Sequence, residues 1–245
     1  MKTIKKLALV TGASGGIGEA TARLLLESGY AVACGYHKHA ARTRALSIHP
    51  DAFAVRIDIS RRQSVRVAIK AIELHFGRGV DMVINNAGII DERPFEKITD
   101  VQWDRMLQVN LRGAFIVLQE TIGNMRKKRW GRVVNIVSIG GQWGGTRQVH
   151  YAAAKAGLIS LTHSVAKLYA RDGITSNAVS PGLVATPMIE KELRSKGGKE
   201  KLTSIPVGRV STPDEVAAAV VFLMSERAAT ITGQTLNING GMLFS

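Results

Sequence analysis

The hydrophobic positions of this chain fall into short and long segments that alternate. The short segments are rich in β-branched residues and mostly continuously apolar, a pattern typical of strands covered on both faces. They predict seven strands over Leu7–Thr11, Tyr30–Gly35, Ala52–Ile57, Val80–Asn85, Arg132–Ser138, Ile174–Ser180 and Thr235–Ile238.

The longer segments repeat their apolar residues with a helical period. In the first of them, Ile17, Ala20 and Leu24 share one helix face. The last begins with a capping residue, a proline and two acids, which is typical of a helix start. These segments predict helices over Ile17–Ser28, Arg61–Phe76, Asp100–Lys128, Val149–Arg171 and Pro213–Ser225.

Strands that alternate with helices predict βαβ units and the α/β class. We expect a single Rossmann-type, doubly wound parallel sheet of about seven strands with helices on both faces. No linker rich in Pro, Ser or charge divides the chain, so residues 1–245 are expected to form one dinucleotide-binding and catalytic domain. Residues 182–211, which hold the polar run Glu190–Lys201, are expected to form a mobile substrate loop.

The composition indicates the cellular compartment in which the protein is expected. An apolar content of 45% excludes disorder, and the single cysteine, Cys34, fits a reducing compartment. No apolar run approaches the roughly 18–20 residues that a membrane span needs. The apolar stretch at the start of the chain ends after Val10 and enters a glycine-rich turn, so it predicts a strand rather than a signal peptide. We expect a soluble, cytoplasmic protein without a membrane partner.

The chain is strongly basic, with 33 Lys and Arg against 19 Asp and Glu and a formal charge of +14. Basicity is the first mark of nucleic-acid binding. The sequence lacks a recognition-helix or RNA-binding motif, however, and its 5% aromatic content offers few stacking platforms. We therefore expect no nucleic-acid partner, and no metal site is predicted.

A glycine-rich segment, 11–18, follows the first predicted strand and begins the first predicted helix. Glycines at such a turn let the backbone approach a pyrophosphate, which then lies on the free N–H groups of the helix start. The spacing, Gly-x-x-x-Gly-x-Gly, in this strand–turn–helix context predicts dinucleotide binding. The predicted contacts are Gly12, Ser14, Gly16, Ile17 and Gly18.

The end of the second predicted strand bears on the choice between the two nicotinamide cofactors. An Asp or Glu near this point usually binds the ribose diol, but Tyr36, His37, Lys38 and His39 include no acid. A carboxylate would repel a 2′-phosphate, whereas Lys38 and His37 could pair with one. The segment thus predicts NADP(H), with Lys38 as the charge partner; alternatively, Lys38 and Arg42 form a solvated helix face.

Further motifs extend along the chain in a fixed order. They comprise Asp58 after the third strand, Asn85–Gly88 after the fourth, Asn110 within a helix, Ser138 at the end of the fifth, Tyr151-Ala-Ala-Ala-Lys155, and Pro181-Gly182 after the sixth. With the phosphate loop, this series resembles the short-chain dehydrogenase/reductase family over essentially the whole chain. The resemblance implies a nicotinamide-dependent oxidoreductase.

Tyr151 and Lys155 are spaced to share one helix face. A neighbouring ammonium should lower the pKa of the phenol from its ordinary value of about 10 and suit it to proton transfer. In ketone reduction Tyr151 would donate a proton to the carbonyl oxygen, and Ser138 would hydrogen-bond the same oxygen. The resemblance implies that Lys155 also binds the nicotinamide ribose and that Asn110 holds a water; alternatively, Asn110 satisfies helix backbone.

The resemblance also implies further contacts. Asp58 and Ile59 would contact the adenine, although Asp58 could instead cap the next helix. Asn86, Ala87 and Gly88 lie at the carboxyl end of a predicted strand, where ligands bind in open α/β sheets; Asn85 could be purely structural. The implied nicotinamide-side contacts are Pro181, Gly182 and Thr186, and the implied substrate-pocket walls are Ile90, Gly140, Trp143 and Met188.

Within the family, segments 125–132, 151–158, 205–210 and 231–241 are similar to 3-oxoacyl-acyl-carrier-protein reductases. This implies NADPH-dependent reduction of a 3-oxoacyl thioester, with Arg129 and Arg171 facing the acidic carrier protein. Asp172 occupies a position that is basic in the subgroup. Acetoacetyl-CoA reductases share most of these motifs, so a CoA thioester or another ketone or alcohol substrate remains open. A non-catalytic cofactor sensor is disfavoured because the four catalytic residues are all present.

The family resemblance also implies a homotetramer. The expected contacts are the helices 100–128 and 149–171 and the C-terminal strand. Small residues on the second helix, Ala152, Ala153, Ala156 and Gly157, permit close approach of another helix; alternatively, they serve packing within one chain.

The excess charge is concentrated around the catalytic segment. Residues 121–171 contain nine Lys and Arg and no carboxylate, and they include Ser138, Tyr151 and Lys155. Such a deficit of acid predicts attraction of an anionic substrate carrier. Alternatively, Arg126–Arg129 form a solvated helix end.

Overall fold

The computed structural model describes residues 5–185 and 202–244. Seven parallel strands form one sheet in the order β3-β2-β1-β4-β5-β6-β7. The strands are β1 Leu7–Val10, β2 Ala31–Tyr36, β3 Ala52–Arg56, β4 Met82–Asn85, β5 Gly131–Ile136, β6 Ile174–Pro181 and β7 Thr235–Ile238. The predicted α/β class and doubly wound parallel sheet are confirmed, as is each of the seven strands to within about two residues.

Helices pack on both faces of this sheet. They are α1 Gly16–Glu27, α2 Ala41–Leu46, α3 Arg62–Phe76, α4 Asp100–Leu107, α5 Gly113–Lys128, α6 Gly140–Trp143, α7 Val149–Tyr169 and α8 Pro213–Met224. The predicted start of α8 is confirmed by a reciprocal capping box, in which the Thr212 and Glu215 side chains bond each other's backbone N–H groups.

One prediction about helices was wrong, and two short helices were missed. The single helix over Asp100–Lys128 is divided by a π-helical turn, Gln108–Arg112, that separates α4 from α5. Apolar spacing does not reveal such a turn, because the flanking helices keep their own faces. The short helices α2 and α6 were not predicted, since four to six residues are too few to establish a period.

The core consists of two layers, one on each face of the sheet. On β1, Leu7 and Leu9 face one layer with α3 and α5, while Ala8 and Val10 face the other with α1 and α8. Both faces are therefore covered, which is why the strands are continuously apolar. Each fully buried leucine or isoleucine contributes about 1.5–3 kcal/mol to this packing.

Within the described part of the chain, no helix combines the length and apolarity needed to cross a membrane.

Candidate active site

The segments predicted to bind ligands converge on one edge of the sheet. Because all strands are parallel, their carboxyl ends lie together at this edge. The phosphate loop follows β1, residues 36–38 end or follow β2, Asp58 follows β3, and 86–88 follow β4. Ser138 lies two residues beyond β5, and Pro181 ends β6. Segments that are far apart in the sequence thus lie side by side in one continuous site, as expected of open α/β sheets.

The phosphate loop depends on glycine for space as well as conformation. Gly12 has a φ of 69°, and a Cβ there would lie 2.9 Å from the Cα of Ala87. A Cβ on Gly18 would overlap the Gly12 carbonyl oxygen. Helix α1 begins after Gly15 without a side-chain cap, so its first N–H groups are left for an anion. These features form a cradle that fits a pyrophosphate.

Thr11 and Asn86 connect the phosphate loop to the segment after β4. The Thr11 hydroxyl accepts hydrogen bonds from the backbone N–H groups of Asn86 (3.0 Å) and Ala87 (3.1 Å). The Asn86 amide donates in turn to the carbonyl oxygens of Thr11 and Gly12, both at 3.1 Å. The side chain of Asn86 therefore positions the loop. Sequence analysis did not identify Thr11 in this role, because the partners are about 75 residues apart.

At the adenosine end of the predicted site, Asp58 holds a turn. Its Oδ1 accepts hydrogen bonds from the backbone N–H and hydroxyl of Ser60, and the His37 ring lies 3.7 Å from Oδ2. Burial raises the pKa of Asp58, but these hydrogen bonds and the nearby His37 and Arg61 outweigh it and hold the pKa below its ordinary value. Asp58 thus closes the turn before α3, whose cap residue is Arg61.

Ile59, predicted to contact the adenine, points away from this edge. Its side chain is buried in the core and packs against α5, where a Cβ on Gly113 would lie 2.8 Å from the Ile59 Cδ1. Only the backbone of Ile59 is available to a cofactor.

Two cations, Lys38 and Arg42, follow β2 along the chain. Lys38 is exposed, just beyond β2. On α2, the Arg42 guanidinium lies 3.0 Å from the Glu19 carboxylate, and its Nη1 is 3.6 Å from where a Gly15 Cβ would stand. Arg42 therefore lies against the phosphate loop, rather than only on a solvated helix face.

The four residues predicted to be catalytic are gathered by α7, the π-helical turn and β5. Tyr151 and Lys155 lie one turn apart on α7, with the Lys155 Nζ 5.6 Å from the centroid of the Tyr151 ring. Lys155 is 4% exposed, and its Nζ donates a 2.7 Å hydrogen bond to the carbonyl oxygen of Ile136. Ser138 interacts with the phenol of Tyr151. Ser138, Tyr151 and Lys155 therefore form a contiguous group.

Asn110 lies in the π-helical turn and is 2% exposed. Its amide pairs with the backbone of Ile89, accepting from the N–H at 3.0 Å and donating to the carbonyl oxygen at 2.9 Å. Asn110 therefore does satisfy backbone groups, but those of the segment after β4 and not the helix backbone that the alternative named. π-helical turns within α-helices are frequent at functional sites.

The pKa directions differ from the sequence expectation. Burial raises the pKa of Tyr151, and the hydrogen bond with Ser138 opposes this in part. Burial lowers the pKa of Lys155 to about 8. The predicted lowering of the Tyr151 pKa is thus wrong for the protein alone, because the Lys155 ammonium is directed at Ile136 and is itself desolvated. A phenol that keeps its proton can act as the proton donor in ketone reduction.

Gln142 is a further residue at this site, and it carried no motif. The Ser138 hydroxyl accepts from the Gly140 N–H (3.1 Å) at the start of α6. Further along α6, the Gln142 amide donates to Ser180 Oγ and Asn237 Oδ1, each at 2.7 Å. These bonds attach α6 to β6 and β7 and hold the segment that carries Ser138. The sequence gave no sign of this role, because a single glutamine after two glycines has no periodic pattern.

The remaining predicted contacts fall into three groups. Ile90 and Trp143 are about half exposed at the mouth of the site, and Gly140 borders Ser138. Pro181 accepts a hydrogen bond from the Ile139 N–H at 3.2 Å, and the Gly182 N–H donates to Ile238 at 3.1 Å. Thr186 and Met188 lie outside the described residues, as does most of the predicted mobile loop.

The predicted carrier-binding arginines lie at the other end of the sheet. Arg129 precedes β5 and Ser138 follows it, so a six-residue strand, about 20 Å, separates them. The Arg129 guanidinium donates to the Arg171 carbonyl oxygen at 2.7 Å. Asp172 pairs with Arg126 at 2.9 Å and with Arg129 at 3.8 Å. Within one chain, Arg129 and Arg171 do not approach the catalytic group.

Comparison with known proteins shows similarity over almost the whole chain. A family model described as enoyl-(acyl carrier protein) reductase matches residues 12–243. A 3-oxoacyl-(acyl-carrier-protein) reductase of Vibrio cholerae is 40% identical over 238 residues, 97% of each chain. An acetoacetyl-CoA reductase of Rhizobium meliloti is 40% identical over 99% of this chain and 100% of its own. A 3-oxoacyl-(acyl-carrier-protein) reductase of Staphylococcus aureus is 37% identical, over 97% of this chain and 98% of its own.

Proposed function

Since the chain belongs to the short-chain dehydrogenase/reductase family and is an oxidoreductase that uses a nicotinamide cofactor, we propose that it reduces a 3-oxoacyl thioester to the 3-hydroxyacyl thioester with NADPH. The observation that carries this proposal is the placement of Ser138, Tyr151 and Lys155 at the same sheet edge as the glycine cradle. A carbonyl at Ser138 and Tyr151 therefore lies beside the dinucleotide site.

The cofactor fits the residues present. The uncapped start of α1 and the glycine cradle would hold the pyrophosphate, and the carboxyl ends of β4, β5 and β6 would border the nicotinamide. When bound, the nicotinamide supplies a hydride to the substrate carbon.

The protein's own contribution concerns the carbonyl oxygen. The Ser138 hydroxyl donates a hydrogen bond to this oxygen and stabilises the negative charge that develops on it. The phenol of Tyr151, which burial keeps protonated, donates its proton to the same oxygen and completes the alcohol. The ammonium of Lys155 then stabilises the phenolate that remains.

Lys155 is suited to returning a proton to Tyr151. Its pKa of about 8 is close to neutrality, so both protonation states are accessible. Its contact with Ile136 fixes Nζ, and Asn110 lies close to it, since a Cβ on Gly88 would stand 2.5 Å from the Asn110 Oδ1 and 3.8 Å from the Lys155 Nζ. We infer that a water beside Asn110 connects Lys155 to solvent.

The preference for NADPH over NADH rests on charge. No carboxylate follows β2 between residues 36 and 40, and Lys38 and Arg42 are the cations that we expect to pair with a 2′-phosphate on the adenosine ribose. Lys38 stays the primary predicted partner. Arg42 is the second, because its guanidinium borders Gly15.

Two thioester carriers are candidates. Relatives named for acyl-carrier-protein substrates and for CoA substrates are similarly related to this chain. Arg129 and Arg171 lie at the opposite end of the sheet from Ser138, so we infer that a carrier bound at them serves the site of a neighbouring subunit. Asp172 partly neutralises Arg129 at that position, an observation that favours the CoA thioester as the second candidate function.

We also propose that the protein forms a homotetramer, which would supply this neighbouring subunit. We expect the tetramer to act in the cytoplasm. Apolar side chains remain exposed on the elements expected to form its interfaces: Phe115 on α5, Leu168 on α7 and Leu236 on β7. Light scattering that gave a monomer mass would contradict the tetramer.

The proposal is tested by measuring kcat/KM with NADPH for acetoacetyl-CoA and an acetoacetyl-carrier protein. Unrelated ketones and an enoyl thioester serve as comparison substrates. We expect at least one acetoacetyl thioester to be the best substrate. If both are inert while a comparison substrate is reduced, the proposed acyl-thioester reduction is wrong.

A further inference from the structure

Arg147 lies at the mouth of the catalytic site. It belongs to the connection between α6 and α7, four residues before Tyr151. Its carbonyl oxygen accepts a 2.8 Å hydrogen bond from the Arg93 N–H, and the neighbouring Gln148 amide donates to Glu92 at 2.6 Å. The segment after β4 therefore holds the Arg147 backbone in place, while its side chain is exposed.

The guanidinium of Arg147 has no carboxylate oxygen within 4.0 Å among residues 5–185 and 202–244. The nearest acids along the facing segment already have partners, because Asp91 pairs with Arg93 at 2.6 Å and Glu92 accepts from Gln148. The exposed positive charge of Arg147 thus has no counter-charge in the part of the chain that the structure describes.

Four other cations of the acid-free segment 121–171 differ in this respect. Three more, Lys127, Lys167 and Arg171, have no carboxylate partner among the described residues either, but they lie near the C-terminal ends of α5 and α7, away from the catalytic group. At the far end of the sheet, carboxylates from other segments pair with Arg126 and Arg129 (Asp172), Lys128 (Asp81) and Arg132 (Glu226). Lys155 is buried in the catalytic group. The segment's unneutralised charge beside the catalytic mouth is therefore that of Arg147.

We infer that Arg147 binds the phosphate ester at the far end of the substrate's pantetheine arm. The inference rests on the proposed function, because both candidate carriers, CoA and acyl carrier protein, attach the thioester through such an arm. Arginine is well matched to phosphate, since its planar fork donates two parallel hydrogen bonds. The phosphate would lie outside the site while the 3-oxo group reaches Ser138 and Tyr151.

The test compares substrates with and without the phosphate. Acetoacetyl-N-acetylcysteamine keeps the reacting thioester but ends before the phosphate. The measured quantity is kcat/KM for acetoacetyl-CoA divided by kcat/KM for this truncated thioester, and the same ratio is taken for an acetoacetyl-carrier protein. Arg147→Ala is compared with Lys70→Ala, which removes an exposed cation on α3.

Arg147→Ala should lower both ratios about 5- to 20-fold, and Lys70→Ala should leave them unchanged. The ratio should also fall as salt rises from about 0.01 M to about 0.5 M, and this slope should flatten in Arg147→Ala. Equal losses on all substrates would assign Arg147 a structural role in holding Tyr151 and overturn the inference. An unchanged ratio, or a loss confined to the carrier protein, would overturn it too. Inert thioesters in the unmodified enzyme would instead refute the proposed function.

Discussion

The ammonium of Lys155 donates a hydrogen bond to the carbonyl oxygen of Ile136, the last residue of β5, over 2.7 Å. This contact fixes the amino group at the end of β5, two residues before Ser138 along the chain. It also removes Nζ from water, and burial lowers its pKa to about 8. The end of a central strand therefore sets both the position and the protonation of the catalytic lysine.

The rate of reduction should consequently depend on pH through Lys155. The protonated ammonium stabilises the Tyr151 phenolate, and this form is lost as pH rises through about 8. Tyr151 does not produce the fall, because its raised pKa keeps the phenol protonated there. We expect kcat for reduction to be flat below about pH 7 and to fall as pH increases from about 8. A profile that rises over this range would contradict the assignment.

Gln142 should act as a positioning residue for Ser138. Gln142→Met keeps the shape of the side chain but removes both 2.7 Å hydrogen bonds to Ser180 and Asn237. We expect kcat to fall about 10-fold, since α6 would no longer be fixed to the sheet, while the Kd for NADPH stays constant. Ser180→Ala should lower kcat in the same direction, and the double variant should lose less than the product of the two single losses. Independent effects of the two substitutions would refute this role.

Gly18→Ala should weaken cofactor binding and destabilise the fold. The added methyl group overlaps the Gly12 carbonyl oxygen and approaches the Asn86 amide, so the phosphate loop must shift. Overpacking of this kind costs about 1–3 kcal/mol. Urea denaturation and NADPH titration measure the two effects. Gly29→Ala is the control, because Gly29 has a positive φ of 83° but no atom within 4 Å of an added Cβ. It should lose stability without weakening NADPH binding, and equal binding losses in both variants would contradict the account.

The cofactor preference should respond to Lys38 and Arg42. Replacing either cation with glutamate should lower the ratio of kcat/KM for NADPH to that for NADH by at least about 10-fold, because a carboxylate repels the 2′-phosphate. Arg44→Glu, on the same short helix, is a matched control for net charge. A ratio that changes equally in all three variants would indicate a general charge effect.

The sequence was sufficient for features that depend on local pattern. The strands were predictable because each is apolar over its whole length, and the parallel sheet then placed their carboxyl ends together. Arrangements set by tertiary packing were not accessible. The π-helical turn at Asn110 depends on a partner at Ile89, and the Tyr151 pKa depends on which groups exclude water from it.

The basic segment illustrates the same limit. Along the chain, residues 121–171 carry no acid, but folding brings Asp81, Asp172 and Glu226 against their arginines and lysines. Among the residues that the structure describes, the segment's exposed cation without a carboxylate partner beside the catalytic site is thus Arg147. Charge counted along a chain is informative only once the partners from other segments are known.

The most direct test of the central claim is NADPH consumption with an acetoacetyl thioester by the unmodified enzyme and by Tyr151→Phe. The substitution removes only the proton donor. We expect at least a roughly 100-fold loss of kcat, the scale of general acid catalysis, while NADPH binding is retained. Turnover that survives in Tyr151→Phe would contradict the mechanism derived from this site.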